Sequence, residues 1–200
     1  MKIKLEKHNP NWANDFEDLK RNLIQSIAYL KPQIEHIGST SVKGLSAKPI
    51  IDILVGVNNE DDLDKVIIPL TDNGYVYYEI YNVQMPYRRF FIKHKTTPES
   101  LSIPPIITRE KDAPNSTEEH DQRLAHIHIL PYNSEHWIRH IAFRDYLEFH
   151  PEVRDAYQQL KLSLSQKEWL DGNEYNLAKD QFIKTEERKA IEWAANKQIR

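Results

Sequence analysis

Apolar residues in the first 30 positions recur at steps of three and four, which is the spacing of one face of an α-helix. They are Trp12, Phe16, Leu19, Leu23, Ile27 and Leu30. Pro10 stands near the first turn of this pattern and Pro32 just beyond its end, where proline is tolerated or stops a helix. The pattern predicts an amphipathic helix whose aromatic members pack in the core.

Strand-like patterns occupy most of the chain between residues 33 and 131. The predicted strands cover residues 49–57, 75–81, 87–95 and 123–130. The first is a nearly continuous apolar run, expected where both faces of a sheet are covered, so it is predicted to lie inside the sheet. The next two are rich in aromatic residues and are predicted to pair as a hairpin. Residues 58–74, between the first two strands, predict a helix that ends at Gly74.

Helical patterns return after Pro131 and fill the C-terminal third of the chain. The predicted helices cover residues 134–150, 151–166 and about 173 to the end. Residues 96–122 are polar and rich in proline, which predicts a long loop that serves as a lid or binding loop, or is disordered. Together the patterns predict an α+β fold with a mixed β-sheet flanked by helices. Residues 1–132 would form the core, and residues 133–200 a helical segment packed on it as one folding unit.

Composition narrows the function classes without identifying one. The 200 residues suit a single domain. A net charge of −3 gives no bulk basic footprint, so the chain is not expected to bind nucleic acid. The chain has no cysteine, which excludes disulfides, thiol catalysis and thiolate zinc sites. No signal-peptide pattern and no run of about 20 apolar residues is found, so we expect a cytoplasmic protein without a membrane span.

The stretch from residue 36 to 57 holds three of the five glycines and one acidic residue in an apolar run. An ionised carboxylate buried in such a strand costs several kcal/mol unless a cation or hydrogen-bond donors compensate it. Asp52 is therefore either the partner of a structural salt bridge, with Lys48 or an arginine, or a metal ligand. The turn formed by Gly38 and Ser39 upstream favours the metal ligand.

A Gly-Ser turn exposes backbone N–H groups and a hydroxyl, which together suit phosphate oxygens. A carboxylate on the following strand can hold a divalent ion against the same phosphates, as in phosphoryl transfer. Gly38, Ser39 and Lys48 are thus candidate phosphate-binding residues, and Asp52 the candidate catalytic residue. The stretch contains no P-loop and no dinucleotide-binding fingerprint.

Basic residues on the strand 87–95 are further candidates for binding an anion. Arg89 and Lys93 share one face of this strand, while Arg88 lies on the other. Arginines can contact phosphate with two hydrogen bonds, so Arg88, Arg89 and Lys93 are predicted phosphate ligands. The alternative is an ordinary solvated strand face.

His126 and His128 alternate with isoleucines, so both imidazoles leave the same face of their strand. If that strand neighbours the one with Asp52, the three residues could form a site of two histidines and one carboxylate. Such a set suits zinc or another transition metal better than magnesium. The alternative is two histidines on the solvated face of an edge strand.

Two pairs on the C-terminal helices are interpreted as structural. Arg144 is predicted to form a salt bridge that ties the helices to the sheet. It is not expected to pair with Asp145, because adjacent helical residues point about 100° apart. Tyr175 and Lys179, four positions apart, could reach a ligand, but packing suffices to explain them.

The segment "EHIGSTSVKGLSAKPIIDILVGV" resembles the signature of the GrpB family, and "RLAHIHI", "FRDYL", "HPEV" and "AKDQFI" resemble its later motifs. That family belongs to the nucleotidyltransferase superfamily, which has a fold like the DNA polymerase β palm. The resemblance implies that Gly38 and Ser39 bind phosphate and that Asp52 is the first metal-binding aspartate. The chain departs from the superfamily pattern at Leu54, where active members carry a second acid.

Three functions are compatible with these observations. The first is a nucleotidyltransferase-like protein that binds a nucleoside triphosphate or related phosphorylated metabolite with a divalent metal (Mg, Mn or Zn) and transfers a nucleotidyl group to an acceptor. The second is a catalytically degenerate binding module for a nucleotide or another phosphorylated small molecule. The third is a metal-dependent phosphohydrolase that uses His126, His128 and Asp52.

Overall fold

The computed structural model describes residues 2–114 and 116–198. Residues 1, 199 and 200, at the limits of the predicted segments, and residue 115 of the predicted loop lie outside the described residues. The strands are β1 (Gln33–Ile37), β2 (Ile51–Val57), β3 (Tyr75–Tyr77), β4 (Arg89–His94) and β5 (Arg123–Pro131). The α-helices are α1 (Asn11–Ile27), α2 (Ile67–Asp72), α3 (Thr117–Asp121), α4 (Glu135–Phe149), α5 (Pro151–Ser165) and α6 (Gly172–Gln198). Among the described residues, no helix has both the length and the apolar character needed to cross a bilayer.

The strands form one mixed sheet in the order β1-β2-β5-β4-β3. Strands β2 and β5 are parallel, and the other neighbouring pairs are antiparallel. The α+β prediction and the inner position of β2 are thereby confirmed. The two aromatic strands do pair as predicted, but they are shorter than expected because the chain between them turns through a 3-10 helix at Glu79–Tyr81.

One face of the sheet packs on α1 and α2, and we call it the core face. Every residue of the predicted α1 stripe is buried there or just after the helix, from Trp12 to Leu30. The stripe meets Ile51, Ile53 and Val55, the alternate residues of β2 that point to the same side. Each such aliphatic side chain contributes roughly 1.5–3 kcal/mol when fully buried. The predicted helix at the N-terminus is confirmed with nearly the expected limits.

The segment 58–74 is less helical than its pattern predicts. Two short 3-10 helices, Glu60–Asp62 and Asp64–Val66, precede α2, which covers only Ile67–Asp72. Pro69 explains the late start, because a proline has no N–H to donate and is tolerated only in the first turn of an α-helix. Gly74 ends the segment with a positive φ of 73°, as predicted.

The opposite face of the sheet carries Asp52, His126 and His128, and we call it the site face. Helix α4 covers one end of it, where Trp137 packs on Leu54 and Leu130. Gly56 lies beneath this contact, because a Cβ at that position would stand 2.8 Å from the Trp137 ring. The part of the site face between α4 and the β3 edge contains the cleft described below.

Residues 96–122 pack on the sheet over part of their length. Ile103 and Ile107 are buried against Val76 and Ile92 on the site face. The backbone of Tyr77 exchanges hydrogen bonds with this segment, donating to the Pro105 carbonyl at 2.8 Å and accepting from the Ile107 N–H at 2.8 Å. The segment also contains α3 and two 3-10 helices. Its role as a lid or binding loop stays a prediction.

Arg144 on α4 ties the C-terminal helices to the sheet, as predicted. Its Nη1 donates to Glu35 Oε2 at 2.7 Å and to the His36 carbonyl oxygen at 3.0 Å, both on β1. The prediction that Arg144 and Asp145 do not pair is wrong, because Arg144 Nε donates to Asp145 Oδ1 at 2.8 Å. The long guanidinium arm reaches the neighbouring carboxylate although the two Cβ atoms diverge.

We expect Arg144→Met to lower the free energy of unfolding by about 1–3 kcal/mol, because it removes charge-assisted bonds to β1 and leaves a backbone carbonyl without its donor. Urea denaturation of both proteins measures the difference. Arg154→Met on α5 is the matched control: its guanidinium stands 3.9 Å from Asp155 in a loose ion pair, and we expect a change below about 1 kcal/mol. An equal loss of stability in the two variants would contradict a stabilising role for the Arg144 contacts with β1.

Candidate functional site

The loop between β1 and β2 begins with a close approach of backbone to carboxylate. Asp52 pairs with Ile37 across the two strands, so its side chain meets the next residue, Gly38. A Cβ on Gly38 would stand 2.3 Å from Asp52 Oδ2, and the φ of Gly38 is +71°. Both facts require glycine, because any other residue would be strained and would collide with the carboxylate.

Ser39, the next residue, contacts a lysine from α5. Its Oγ accepts a hydrogen bond from Lys161 Nζ at 2.9 Å, and Lys161 also donates to the Ser46 carbonyl oxygen. The Lys161 side chain is almost fully buried, with 2% exposed. Burial, and then the charge of Lys179, lowers the pKa of Lys161 to about 7.

Helix α5 also holds the rest of this loop in place. The Gln158 side chain accepts from the Ser46 N–H at 2.9 Å and donates to Ser46 Oγ at 2.7 Å. Val42 and Leu45 are buried against Tyr157 of the same helix. The position of Ser39 is therefore set by the C-terminal helices as well as by the sheet.

Asp52 and His126 face each other across the parallel strands β2 and β5. The two residues are register partners, and Asp52 Oδ1 lies 3.2 Å from His126 Nδ1. His128 is two register pairs further along, beside Leu54, and its Nδ1 lies 3.2 Å from Arg88 Nη1. Burial and then the charge of Arg88 hold the pKa of His128 well below its usual range, so a neutral ring accepts this bond.

The three predicted metal ligands do not form a complete site. Over residues 2–114 and 116–198, no group of three histidine or carboxylate side chains is arranged to hold a metal ion. Asp52 and His126 are adjacent, and His126 Nε2 is buried without a hydrogen-bond partner. His128 is not grouped with them, and its Nδ1 accepts from Arg88. A divalent metal at this position stays a prediction.

These residues line a cleft of about 500 Å³ on the site face, which we call the cationic cleft. Its charged and polar lining includes Ser39, Lys48, Asp52, Arg88, Arg123, His126, His128, Lys161 and Lys179. Its apolar and aromatic lining includes Tyr81, Met85, Phe90, Ile92 and Tyr175. Five of the lining residues are cations, and Asp52 is the one lining acid among the described residues.

Only one of the five cations is paired with a carboxylate in the described part of the chain. Arg123 donates to both oxygens of Glu119, and His94 Nε2 lies 2.7 Å from Oε1 of the same carboxylate. The other four are Lys48, Arg88, Lys161 and Lys179. Instead of acids they contact neutral groups, and the ammonium groups of Lys48 and Lys179 stand 5.1 and 4.3 Å from the Tyr175 ring centroid.

Two of these lysines are destabilised as cations by their surroundings. Burial, and then the charge of Arg123, lowers the pKa of Lys48 to about 8. Burial, and then the charge of Lys48, lowers the pKa of Lys179 to about 8. Burial likewise lowers the pKa of Arg88, although an arginine remains charged, and its Nε has no hydrogen-bond partner. The cleft therefore concentrates positive charge that the protein itself does not neutralise.

The structure brings most of the predicted site residues together and separates two from them. Ser39, Lys48, Asp52, Arg88, His126 and His128 line the cleft, and Gly38 lies under Asp52. Arg89 and Lys93 point to the core face, because successive strand residues alternate. Arg89 donates to Asp64 at 2.6 Å, and Lys93 to the Asn73 carbonyl oxygen at 2.8 Å. This placement removes both residues from the candidate phosphate site.

Sequence reasoning missed three of the five cations. The sequence pattern does not distinguish Arg123 or Lys161, and packing suffices to explain Lys179, although its side chain could reach a ligand. Lys161 did carry a signal: Tyr157, Lys161 and Leu164 follow one another at helical spacing and are all buried. A lysine inside an otherwise apolar helical stripe must have polar partners, and that expectation could have found it.

Comparisons with known proteins assign the chain to a family. A family model described as GrpB protein matches residues 2–189. The glutamate-rich protein GrpB of Alkalihalophilus pseudofirmus is 34% identical over 177 residues, covering 88% of each chain. The protein YqkA of Bacillus subtilis is 29% identical over 192 residues, which are 96% of this chain but 48% of YqkA.

A solved structure supports the same assignment. The crystal structure of the conserved protein GrpB from Enterococcus faecalis has a TM-score of 0.73 and 30% sequence identity. The match covers 96% of this chain and 99% of that one. Since the family model spans nearly the whole sequence and a GrpB crystal structure shares the fold, the chain belongs to the GrpB protein family.

Proposed function

We propose that this protein binds a nucleoside triphosphate, or a related phosphorylated metabolite, in the cationic cleft. The observation that carries the proposal is the set of three charged residues without a carboxylate partner, Lys48, Arg88 and Lys179, which converge on one cavity of about 500 Å³. Buried charges are costly unless they are paired. A ligand with several negative charges would compensate all three at once.

The chemistry of the individual donors suits phosphate. Arg88 presents a fork that can bind two phosphate oxygens, and its Nε is buried without a partner. Lys48 and Lys179 act as point charges beside the Tyr175 ring. The Ser39 hydroxyl lies at the start of a tight turn, where a phosphate oxygen can also approach.

The apolar part of the lining favours a ligand that carries a planar group beside its phosphates. Phe90 and Ile92 on β4 lie across β5 from the lysine-bearing side of the cleft, and Tyr81 and Met85 follow β3. A flat aromatic side chain next to a half-open apolar surface can stack on a nucleobase. A nucleotide thus fits both halves of the cleft better than inorganic phosphate does.

Nucleotidyl transfer is a second candidate function, favoured by the adjacent Asp52 and His126 in the same cleft. Leu54 weakens this candidate, since it occupies the place of the second acid of the superfamily and is buried under Trp137. A phosphohydrolase built on His126, His128 and Asp52 has less support, because these side chains are not arranged together as metal ligands within the described residues. Binding is therefore the function we propose first.

Adjacent arginines provide the sharpest test of the binding site. We expect Arg88→Ala to weaken the binding of ATP or another nucleoside triphosphate by about tenfold to a hundredfold, the loss of one or two charge-assisted bonds. Arg89→Ala is the matched control, because Arg89 points to the core face and contacts Asp64. Titration calorimetry on both variants measures the effect. Equal affinity in Arg88→Ala and the wild type would contradict the cationic cleft as the triphosphate-binding site.

A variant of Asp52 distinguishes triphosphate binding alone from metal-dependent chemistry. In EDTA, we expect Asp52→Asn to bind triphosphate about threefold to tenfold more tightly than the wild type, because the variant removes the one lining carboxylate that repels phosphate. The comparison is repeated with Mg²⁺, Mn²⁺ and Zn²⁺ added. A wild-type affinity that rises with one metal, and no longer does so in Asp52→Asn, would favour the nucleotidyltransferase candidate instead.

The lowered pKa values of Lys48 and Lys179 predict that affinity depends on pH. Both lysines must be protonated to attract phosphate, and their pKa of about 8 means that they lose protons as pH rises above neutrality. Triphosphate is already fully ionised there. We expect affinity to fall about tenfold from pH 7 to 9.5, with proton uptake on binding detected by calorimetry in two buffers. In Lys179→Met, the affinity should depend less on pH. A wild-type affinity that does not change with pH would contradict the role of Lys48 and Lys179 as phosphate ligands.

A further inference from the structure

The contact between Ser39 and Lys161 has the geometry of a nucleophile and its base. A serine hydroxyl is a weak nucleophile unless a base within hydrogen-bond reach takes its proton and a third group orients that base. Ser39 Oγ lines the cationic cleft and lies 2.9 Å from Lys161 Nζ. The Ser46 carbonyl oxygen accepts a second bond from Lys161 and fixes the direction of the ammonium arm.

The surroundings of Lys161 suit a base better than a permanent cation. The side chain is 2% exposed, and no carboxylate in the described residues pairs with it. Its Nζ stands 4.7 Å from the ring centroid of Tyr157. With a pKa of about 7, close to half of the Lys161 side chains are neutral at neutral pH and can accept a proton.

We propose that Ser39 is a nucleophile, activated by Lys161, that takes a phosphoryl group from a phosphate ester or anhydride held in the cationic cleft. The inference rests on the proposed function for the class of ligand. Serine with a lysine base is a known variant of the serine-histidine arrangement. This mechanism requires no second carboxylate, so the leucine at position 54 does not argue against it.

The step balances within the site. Ser39 Oγ attacks phosphorus, the Oγ–P bond forms, and the bond from phosphorus to the leaving oxygen breaks with its electron pair. Lys161 accepts the hydroxyl proton and passes it to the leaving oxygen. In the second half, water or an acceptor hydroxyl attacks the phosphoserine and gives its proton to Lys161. The Oγ–P bond breaks, and Lys161 passes the proton to Ser39 Oγ, which is restored as the hydroxyl. The net reaction is hydrolysis or transfer, without an oxidant or reductant.

A fluorophosphonate probe tests the nucleophile in the full chain without knowledge of the natural ligand. Attack by Ser39 forms an Oγ–P bond and releases fluoride. We expect one adduct in the intact mass, mapped by peptide analysis to Ser39, at a rate that rises with pH and is half-maximal near pH 7. Ser39→Ala should show no adduct. Ser41→Ala, on the same loop, should react as the wild type does, because Ser41 Oγ donates to the Gly38 carbonyl oxygen.

The variant Lys161→Arg separates a base from a structural cation. Arginine keeps the charge and donates hydrogen bonds but cannot act as a base. We expect it to melt within a few degrees of the wild type and to react with the probe at least about a hundredfold more slowly. Lys161→Met, with its own melting curve, repeats the test if arginine unfolds the chain. No adduct on Ser39 in the folded wild type, or an undiminished rate in a folded Lys161 variant, would overturn the proposal.

Failure of this inference and failure of the proposed function are distinguishable. Triphosphate binding that depends on Arg88, together with an unreactive Ser39, would overturn only the nucleophile. A reactive Ser39 that needs Lys161, in a protein that binds no triphosphate, would overturn only the proposed class of ligand.

Discussion

The close approach of the Asp52 carboxylate to the backbone of Gly38 is the constraint on which the site depends. The antiparallel register of β1 and β2 places residue 52 opposite residue 37, so the loop must begin beside the carboxylate. Only a residue without a Cβ and with access to positive φ can stand there. Once Gly38 turns the chain, Ser39 faces α5 and the cleft together. The glycine thus couples the strand that carries the acid to the loop that carries the hydroxyl.

The second constraint is electrostatic, and it is set by the C-terminal helices. Helices α5 and α6 bring Lys161 and Lys179 to the cleft, where Lys48 and Arg88 lie just before β2 and β4, with one acid among the lining residues. Cations placed this way lower each other's pKa and lose hydration, which destabilises the folded protein without a ligand. Such an arrangement is typical of a site whose stabilising charge comes from the ligand. The helices that anchor the Gly-Ser loop are the same ones that supply the charge.

The sequence predicted the sheet's contribution to the site better than the helices' contribution. Strand alternation correctly put His126 and His128 on one face, because the period of two is a property of the backbone. That Asp52 lies on the same face depended on β2 and β5 being neighbours, which the sheet order shows. Alternation could also have separated Arg88 from Arg89, since adjacent strand residues must point apart. It could not show which helix covers which part of that face, because helix docking depends on tertiary packing. Lys161 and Arg123 were missed for this reason, and the Arg144–Asp145 pair because a long side chain can bend back toward its neighbour.

Leu54 shows how the fold and the chemistry of the site are linked. The residue is fully buried under Trp137 of α4, together with Ile37 and Leu130, and Gly56 makes room for the same ring. A carboxylate at position 54 would lie in that apolar contact, where an unpaired charge costs several kcal/mol. A second acid two positions after Asp52 is therefore incompatible with the way α4 docks here. Since α4 also carries the Arg144 bonds to β1, the apolar packing at Leu54 is part of what holds the C-terminal helices, and their lysines, over the cleft.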